Sequence, residues 1–175
     1  YDPRSFGGGR YPEGVRWASL LGDAWQVENL GENGREIPVS DFAVRVLLVQ
    51  ISARLPADGL CVMLGTNDLL GGTSPAETAR RMEGFLDRLR DCDLPLLLVA
   101  PPLMQRGTWV ESEALLENAR ALAPLYRELA ERCGAFFCDT ATWDIPVVFD
   151  GVHFSEDGHR RFAKQMQRVL DTVFR

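Results

Sequence analysis

The chain has 175 residues, of which 46% are hydrophobic and 25% charged, a composition typical of one soluble globular domain. Its formal net charge is −6, from 19 basic and 25 acidic residues. No Lys/Arg-rich run stands out, so a nucleic-acid partner is not expected. The longest apolar stretches, such as LLLVA at Leu96–Ala100, have the length of a strand and are too short to span a bilayer. No membrane partner is therefore expected.

The four cysteines, Cys61, Cys92, Cys133 and Cys138, form no CxxC pair and lie within or beside apolar elements. This pattern favours buried free thiols. A Cys133–Cys138 disulfide is the alternative. Without a disulfide framework, a reducing compartment and hence a cytoplasmic location are predicted.

The predicted elements of the N-terminal part begin with a helix. Glu13–Leu21 has apolar residues at helical spacing, whereas Trp25–Asn29 alternates like a short strand. Ser40–Leu55 again has the apolar spacing of a helix.

Further along the chain, buried strands alternate with longer helices. The strands are predicted at Gly59–Leu64, Leu94–Ala100 and Ala135–Cys138, and the helices from Ser74 to Asp91, over Glu111–Cys133 and over Ser155–Phe174. This alternation indicates βαβ units and a three-layer α/β/α sandwich with a mostly parallel sheet. We expect residues 1–175 to form a single domain.

Polar and glycine-rich segments follow the predicted strands. They are LGENGR at Leu30–Arg35, GTND at Gly65–Asp68, PPLMQRG after Ala100, and DGVH at Asp150–His153. Because the carboxyl ends of parallel strands meet at one edge of the sheet, these segments would line the same rim.

Asp150 and His153 have the residue types and spacing of a proton relay. A histidine is the usual general base for a hydroxyl nucleophile, and a carboxylate beside it holds the imidazole in the required tautomer. Two other interpretations remain open at this point. The pair could cap the last helix, or Asp150, His153, Asp157 and His159 could bind a metal ion.

Asn67 and Gly34 are candidate donors for an oxyanion. A side-chain amide and a backbone N–H in a glycine turn can both stabilise the negative charge that develops on an ester carbonyl during acyl transfer. Taken alone, each segment is better explained as a turn than as part of a site. The three segments together contain the residue types that one reaction requires.

The motifs GENGR, MLGTND and DGVHF, in this order, resemble blocks II, III and V of the SGNH (GDSL-type) hydrolases. The segment GGRYPEGVRWASLL is similar to the stretch after block I in the arylesterase and acyltransferase branch. The resemblance implies a five-stranded, flavodoxin-like sheet and a serine esterase of small acyl esters that needs no cofactor and no metal. His153 would then be the base, Asp150 its partner, and Asn67 and Gly34 the oxyanion donors.

The nucleophile of this family is a Ser in a GDS motif at the end of the first strand. The serines of this chain are Ser5, Ser19, Ser40, Ser52, Ser74, Ser112 and Ser155, and none follows Gly-Asp. We therefore expect the first strand and the nucleophilic Ser to precede Tyr1.

Other functions remain open from the sequence. A binding module that has lost its nucleophile would retain the same cleft, and a metal-dependent hydrolase could use Asp150 and His153. Acyl transfer to another alcohol, or carbohydrate deacetylation, would use the same residues as hydrolysis. Arg35, Met104 and Trp109 are the candidate contacts for the small-molecule ester. The branch includes multimers, so the resemblance also allows a homo-oligomer.

Overall fold

The structure, a computed structural model, describes residues 2–3 and 9–175, with the backbone alone for residues 22–24. Tyr1 and Ser5 lie outside the described residues. Short 3-10 turns occur at Glu13–Val15, Ser19–Ala24, Arg90–Cys92 and Thr140–Thr142. The longer elements are, in chain order, α1 (Asp41–Ser52), β1 (Leu60–Val62), α2 (Thr66–Leu70), α3 (Pro75–Leu89), β2 (Leu96–Ala100), α4 (Glu113–Cys133), β3 (Phe136–Asp139) and α5 (Glu156–Val173).

Serine caps determine where the four long helices begin. The hydroxyl oxygen of each cap accepts a hydrogen bond from the backbone N–H three residues later, at Ser40, Ser74, Ser112 and Ser155. Such caps satisfy N–H groups that have no partner inside the helix. The starts predicted at Ser74-Pro75 and at Ser155 are confirmed.

The three strands form a parallel sheet in the order β1-β2-β3. Leu60 lies opposite Leu96, and Leu97 lies opposite Phe136. All five residues of β2 are buried, which is characteristic of a parallel sheet covered on both faces.

Side chains of β2 alternate between two apolar clusters. Leu96, Leu98 and Ala100 pack with residues of α1, α3 and α4. Leu97 and Val99 pack on the opposite face with residues of α5. Because successive side chains of a strand point to opposite faces, this separation produces the expected three-layer α/β/α arrangement.

Two predictions for the N-terminal part are wrong. The predicted helix Glu13–Leu21 is replaced by two 3-10 turns. The backbone at Arg16 is extended, which interrupts the helix. The predicted strand Trp25–Asn29 has no strand assignment, and the described residues form a sheet of three strands rather than five. The reason is that a strand requires a paired neighbour, and a cavity of about 700 Å³ lies between residues 25–30 and β1.

All four cysteines are free thiols, so the prediction of free cysteines is confirmed and the Cys133–Cys138 disulfide is absent. Burial was predicted correctly only for Cys138. Cys92 and Cys133 are partly exposed, and Cys61 is exposed at the wall of the cavity beside β1. Among the described residues, no helix is both long and apolar enough to cross a membrane.

Candidate active site

The Asp150 carboxylate holds the His153 ring directly. His153 Nδ1 lies 2.8 Å from Asp150 Oδ2. The Asp150 side chain is 1% exposed and that of His153 is 31% exposed. An ionised carboxylate accepts hydrogen bonds only, so it selects the tautomer with the proton on Nδ1. Nε2 is then the ring nitrogen that can accept a proton from a nucleophile.

The turn that contains this pair is built from local hydrogen bonds. Asp150 Oδ1 accepts hydrogen bonds from the Val152 and His153 N–H groups, at 2.8 and 2.9 Å. The Val148 N–H donates to the His153 carbonyl, and Gly151 adopts a positive φ of 83°. The residues from Asp150 to His153 therefore orient their own side chains.

Burial and hydrogen bonding have opposite effects on the Asp150 carboxyl. Burial alone would raise its pKa, but the His153 and Val152 N–H groups and the His153 ring together lower the pKa below its usual value. Hydrogen bonds to the charged form favour ionisation. Asp150 is therefore an anion at neutral pH and can stabilise an imidazolium on His153.

Asn67 lies in the first turn of α2, directly after β1. Its Nδ2 donates a hydrogen bond to the Arg35 carbonyl at 2.9 Å. A side-chain amide has two N–H donors, so one donor remains beyond this bond. The contact joins the GTND segment to the GENGR segment.

Gly34 lies in an exposed turn with a φ of 70°. Within the described part of the chain, its N–H donates to no backbone carbonyl. The neighbouring Arg35 forms an ion pair with Glu32 at 2.6 Å, and the Arg35 side chain is 16% exposed. The turn therefore presents a backbone N–H and keeps the Arg35 guanidinium close to its own loop.

Asp68, the last residue of the GTND segment, has a buried carboxylate that ties this segment to the chain just after the GENGR segment. Asp68 is completely buried. Its Oδ2 accepts a hydrogen bond from the Ile37 N–H at 3.1 Å, and its Oδ1 pairs with Arg81 at 3.1 Å. The signal available in the sequence was an acidic residue next to Asn67. Nothing in the sequence identified Arg81 as the partner of this residue.

The loop after β2 approaches the His153 ring. The Trp109 and His153 ring centroids are 5.1 Å apart, with an interplanar angle of 78°, and Trp109 is 52% exposed. Met104, on the same loop, is 6% exposed and packs in the main apolar cluster. Trp109 is therefore exposed beside the His153 ring, whereas Met104 is buried in the core.

The residues that the metal interpretation requires do not converge. His159 lies in α5, where its Nδ1 accepts a hydrogen bond from the Trp17 N–H at 3.2 Å. Asp157 pairs with Arg161 at 2.7 Å. Across the described residues, no three His, Cys, Asp or Glu side chains are grouped so that they could hold a metal ion.

The described contacts connect these residues as two pairs of loops. Asn67 and Asp68 are bonded to the segment that follows Gly34, and the Trp109 N–H donates to the Asp150 carbonyl. The loops after β1 and β2 follow the carboxyl ends of their strands, and the other two loops are bonded to them, at the edge where α/β proteins bind ligands. A fixed carboxylate–histidine pair at this edge is the arrangement of an α/β acyl hydrolase.

Comparison with known families shows to which hydrolase family this chain belongs. A profile of the GDSL-like lipase/acylhydrolase family matches residues 4–161. The chain belongs to this family and is a carboxylic ester hydrolase. Curated protein sequences gave no match.

Solved structures with the same fold include three esterases. A carbohydrate acetylesterase from Sinorhizobium meliloti is 23% identical, with a TM-score of 0.85 over 99% of this chain and 92% of that chain. An aryl esterase from M. smegmatis is 21% identical, with a TM-score of 0.81 over 94% and 88%. A putative arylesterase from Agrobacterium tumefaciens is 27% identical, with a TM-score of 0.80 over 95% and 91%.

Proposed function

We propose that this chain is a single-domain serine esterase that cleaves small acyl esters through an acyl-enzyme. The observation that carries the proposal is the 2.8 Å contact between His153 Nδ1 and the buried Asp150 carboxylate, on a member of an acylhydrolase family. Asn67 and Gly34 supply the oxyanion donors. No cofactor takes part in the steps assigned to these residues.

The reaction proceeds in two halves. A serine hydroxyl attacks the ester carbonyl while His153 Nε2 takes its proton, and Asp150 stabilises the resulting imidazolium. The Asn67 amide and the Gly34 N–H stabilise the oxyanion, and the alcohol then leaves with the proton from His153. Water repeats the sequence on the acyl-enzyme, and a second alcohol in its place would give acyl transfer.

Four of the serines in this chain have structural roles. Ser40, Ser74, Ser112 and Ser155 cap helices, and Ser5 lies outside the described residues. None of the seven serines follows Gly-Asp, the motif expected of the nucleophile in this family; we therefore propose that the nucleophile belongs to a strand that precedes Tyr1.

The cavity beside β1 supports this assignment. Among the described residues, β1 pairs on one edge only, with β2, and an open strand edge is a template for another strand. The walls of the cavity include Trp25 and Val27 on one side, Cys61 and Met63 on the other, and the apolar side chains of Leu47, Ile51, Met166 and Leu170. A buried parallel strand would fill this space and would give Trp25–Asn29 a partner.

The alcohol part of the ester is proposed to lie against Trp109. Its exposed ring stands beside His153, the residue that returns the proton to the leaving alcohol. The carbohydrate acetylesterase and the aryl esterase of the same fold are consistent with a ring-shaped alcohol at this position. Arg35 remains a candidate contact, although its ion pair with Glu32 limits its reach.

The test is a His153→Ala variant of the enzyme assayed with p-nitrophenyl acetate. Removing a positioned general base lowers kcat by about 100- to 10,000-fold. Wild type should also react with a fluorophosphonate, and the labelled peptide should contain a serine located before Tyr1.

His159→Gln is the matched control, because the chain has only two histidines and His159 faces Trp17. It should keep its activity within a few fold. Near-normal turnover in His153→Ala, or a fluorophosphonate that labels no serine while EDTA abolishes turnover, would contradict the serine mechanism.

A further inference from the structure

Residues 105–109, after β2, run alongside the residues just before His153. The Gln105 N–H donates to the Gly151 carbonyl at 2.8 Å, the Thr108 N–H to the Phe149 carbonyl at 3.1 Å, and the Trp109 N–H to the Asp150 carbonyl at 3.2 Å. The two loops are therefore joined by main-chain hydrogen bonds, which do not depend on the identity of the side chains.

Two glycines make this close approach sterically feasible. A Cβ on Gly107 would collide with the backbone of Asp150 and Gly151. A Cβ on Gly151 would collide with the Gln105 carbonyl oxygen. Each glycine thus faces the backbone of the opposite loop, and any side chain at Gly107 would push the Asp150 backbone away.

The segment that contains Gly107 is held at both ends by the core. Met104 is 6% exposed and Val110 is fully buried, and both belong to the main apolar cluster. Gly107 and Val110 exchange backbone hydrogen bonds, which close the turn between them. The Gln105 side chain adds a bond to the Ile145 carbonyl at 3.1 Å.

The internal geometry of the dyad does not require this segment. Asp150 takes its N–H donors from Val152 and His153, within its own turn. The neighbouring loop instead determines where the turn stands relative to the sheet, and hence relative to Asn67 and Gly34. It also places the Trp109 ring against His153.

We propose that residues 104–110 are a brace that positions the Asp150–His153 turn for catalysis, with Gly107 as its positioning residue. Trp109, carried by the same brace, restricts the orientation of the His153 ring. This inference rests on the proposed serine-esterase function. It adds a positioning residue, Gly107, that does not itself touch the substrate.

The test is the Gly107→Ala variant of the enzyme. Its activity on p-nitrophenyl acetate is measured well below the temperature at which the variant unfolds. A displacement of about 1 Å at a reacting group can cost about 100-fold in rate, so kcat should fall by about 10- to 100-fold. KM should change by less than about threefold, because Gly107 itself makes no contact with the substrate and the variant retains Trp109. The pH at which kcat/KM reaches half its maximum should match that of wild type, since the Asp150–His153 pair is intact.

Gly84→Ala is the matched control. Gly84 lies within α3, and a Cβ there would meet nothing within 4 Å. This variant should keep wild-type kcat and gain a little stability, because Ala favours the helix over Gly. A folded Gly107→Ala enzyme with kcat within threefold of wild type would overturn the brace.

Trp109→Ala keeps the proposal testable if Gly107→Ala does not fold. A role in holding His153 lowers kcat for every ester, including methyl acetate, whereas a role limited to binding raises KM for esters of ring-shaped alcohols and leaves methyl acetate unaffected. Normal kcat on methyl acetate would overturn the positioning role of Trp109. A fully active His153→Ala enzyme would contradict the proposed function. An inactive His153→Ala enzyme together with normal activity in both Gly107→Ala and Trp109→Ala would contradict the brace alone.

Discussion

Asn67 divides its amide donors between the protein and the proposed oxyanion. One Nδ2 hydrogen is used by the Arg35 carbonyl, which holds the amide plane in one orientation. The other is available to the substrate. Donors that are already oriented before the reaction cost no reorganisation in the transition state.

Replacing Asn67 by Ala should therefore lower kcat by about 100- to 1,000-fold, the usual cost of losing one oxyanion donor. KM should change little, because the donor acts mainly on charge that develops in the transition state. Steady-state kinetics with p-nitrophenyl acetate would measure both values. Asn118→Ala, in α4, is the control and should behave as wild type; an Asn67→Ala enzyme within fivefold of wild type would exclude the amide as a donor.

Residue by residue, the site was predictable wherever its parts adjoin in the sequence. Asp150 and His153 belong to one turn, so the DGVH motif was enough to predict their contact. Arg81 and Gly107 could not be predicted, because each acts through a partner distant in the chain, Asp68 in one case and the Asp150 backbone in the other. Nothing local in their sequence surroundings distinguishes them from a surface Arg or a turn Gly.

Among the elements, α5 has an acid-sensitive contact with the N-terminal segment. His159 Nδ1 accepts the Trp17 N–H, and the His159 ring packs edge-on against Tyr11 and Phe154. Burial, with a further contribution from the nearby Arg16 charge, lowers the pKa of His159 to about 4. Protonation would both charge a partly buried ring and remove its acceptor.

A histidine whose pKa is lower in the folded state than in the unfolded state destabilises the protein as the pH falls. The unfolded chain binds the extra proton from about pH 6.5 downward and the folded chain only near pH 4, so stability is lost between these values. With an allowance for the exposed part of the ring, the free energy of unfolding should fall by about 1 kcal/mol from pH 7 to pH 5. Urea unfolding at both values would measure it.

His159→Gln provides the comparison, because Gln can still accept a hydrogen bond but does not titrate. The variant should lose less stability than wild type over the same pH interval. Equal losses in the two proteins would assign the acid sensitivity to other groups.

The boundaries of the elements reflect the range of the forces that determine them. Helix starts at serine caps were predicted to within a residue or two, since a cap is a local hydrogen bond. The strand at Trp25–Asn29 failed because pairing depends on a neighbour that is remote in sequence. The 3-10 turns at Glu13–Val15 and Ser19–Ala24 replaced a helix that apolar spacing alone had favoured.

At the scale of the whole molecule, the open edge of β1 is the main feature to be explained. The Leu60 N–H donates to the Pro95 carbonyl, on the β2 side. N–H groups alternate along a strand, so the Cys61 N–H points towards the cavity. The Cys61 side chain is itself exposed at the wall of the cavity.

If the proposed strand fills the cavity, the Cys61 amide becomes part of a continuous sheet. In the enzyme that carries this strand, its hydrogen exchange should be as slow as that of Leu98, in the central strand β2. Exchange followed by NMR would test this. An amide at Cys61 that exchanges as fast as those of the exposed residues Ala57 and Asp58 would indicate that the edge remains open.

The cytoplasmic location and a homo-oligomeric state remain predictions, from cysteine usage and from the resemblance respectively. Family membership and the fold are established for the molecule as a whole. We expect the alcohol and acyl preferences to depend on the loops at residues 7–11 and 105–111, whose shapes no motif determines; residues 7 and 8 lie outside the described residues.

The compactness of the Asp150–His153 turn also bears on how the relay responds to changes around it. In many proton relays the carboxylate and the histidine belong to distant elements, so any shift between the elements weakens the pair. Here both belong to residues 150–153, and the bonds that orient them arise inside the same turn. A change in a neighbouring loop can therefore move the whole turn relative to the substrate without breaking the contact between Asp150 and His153.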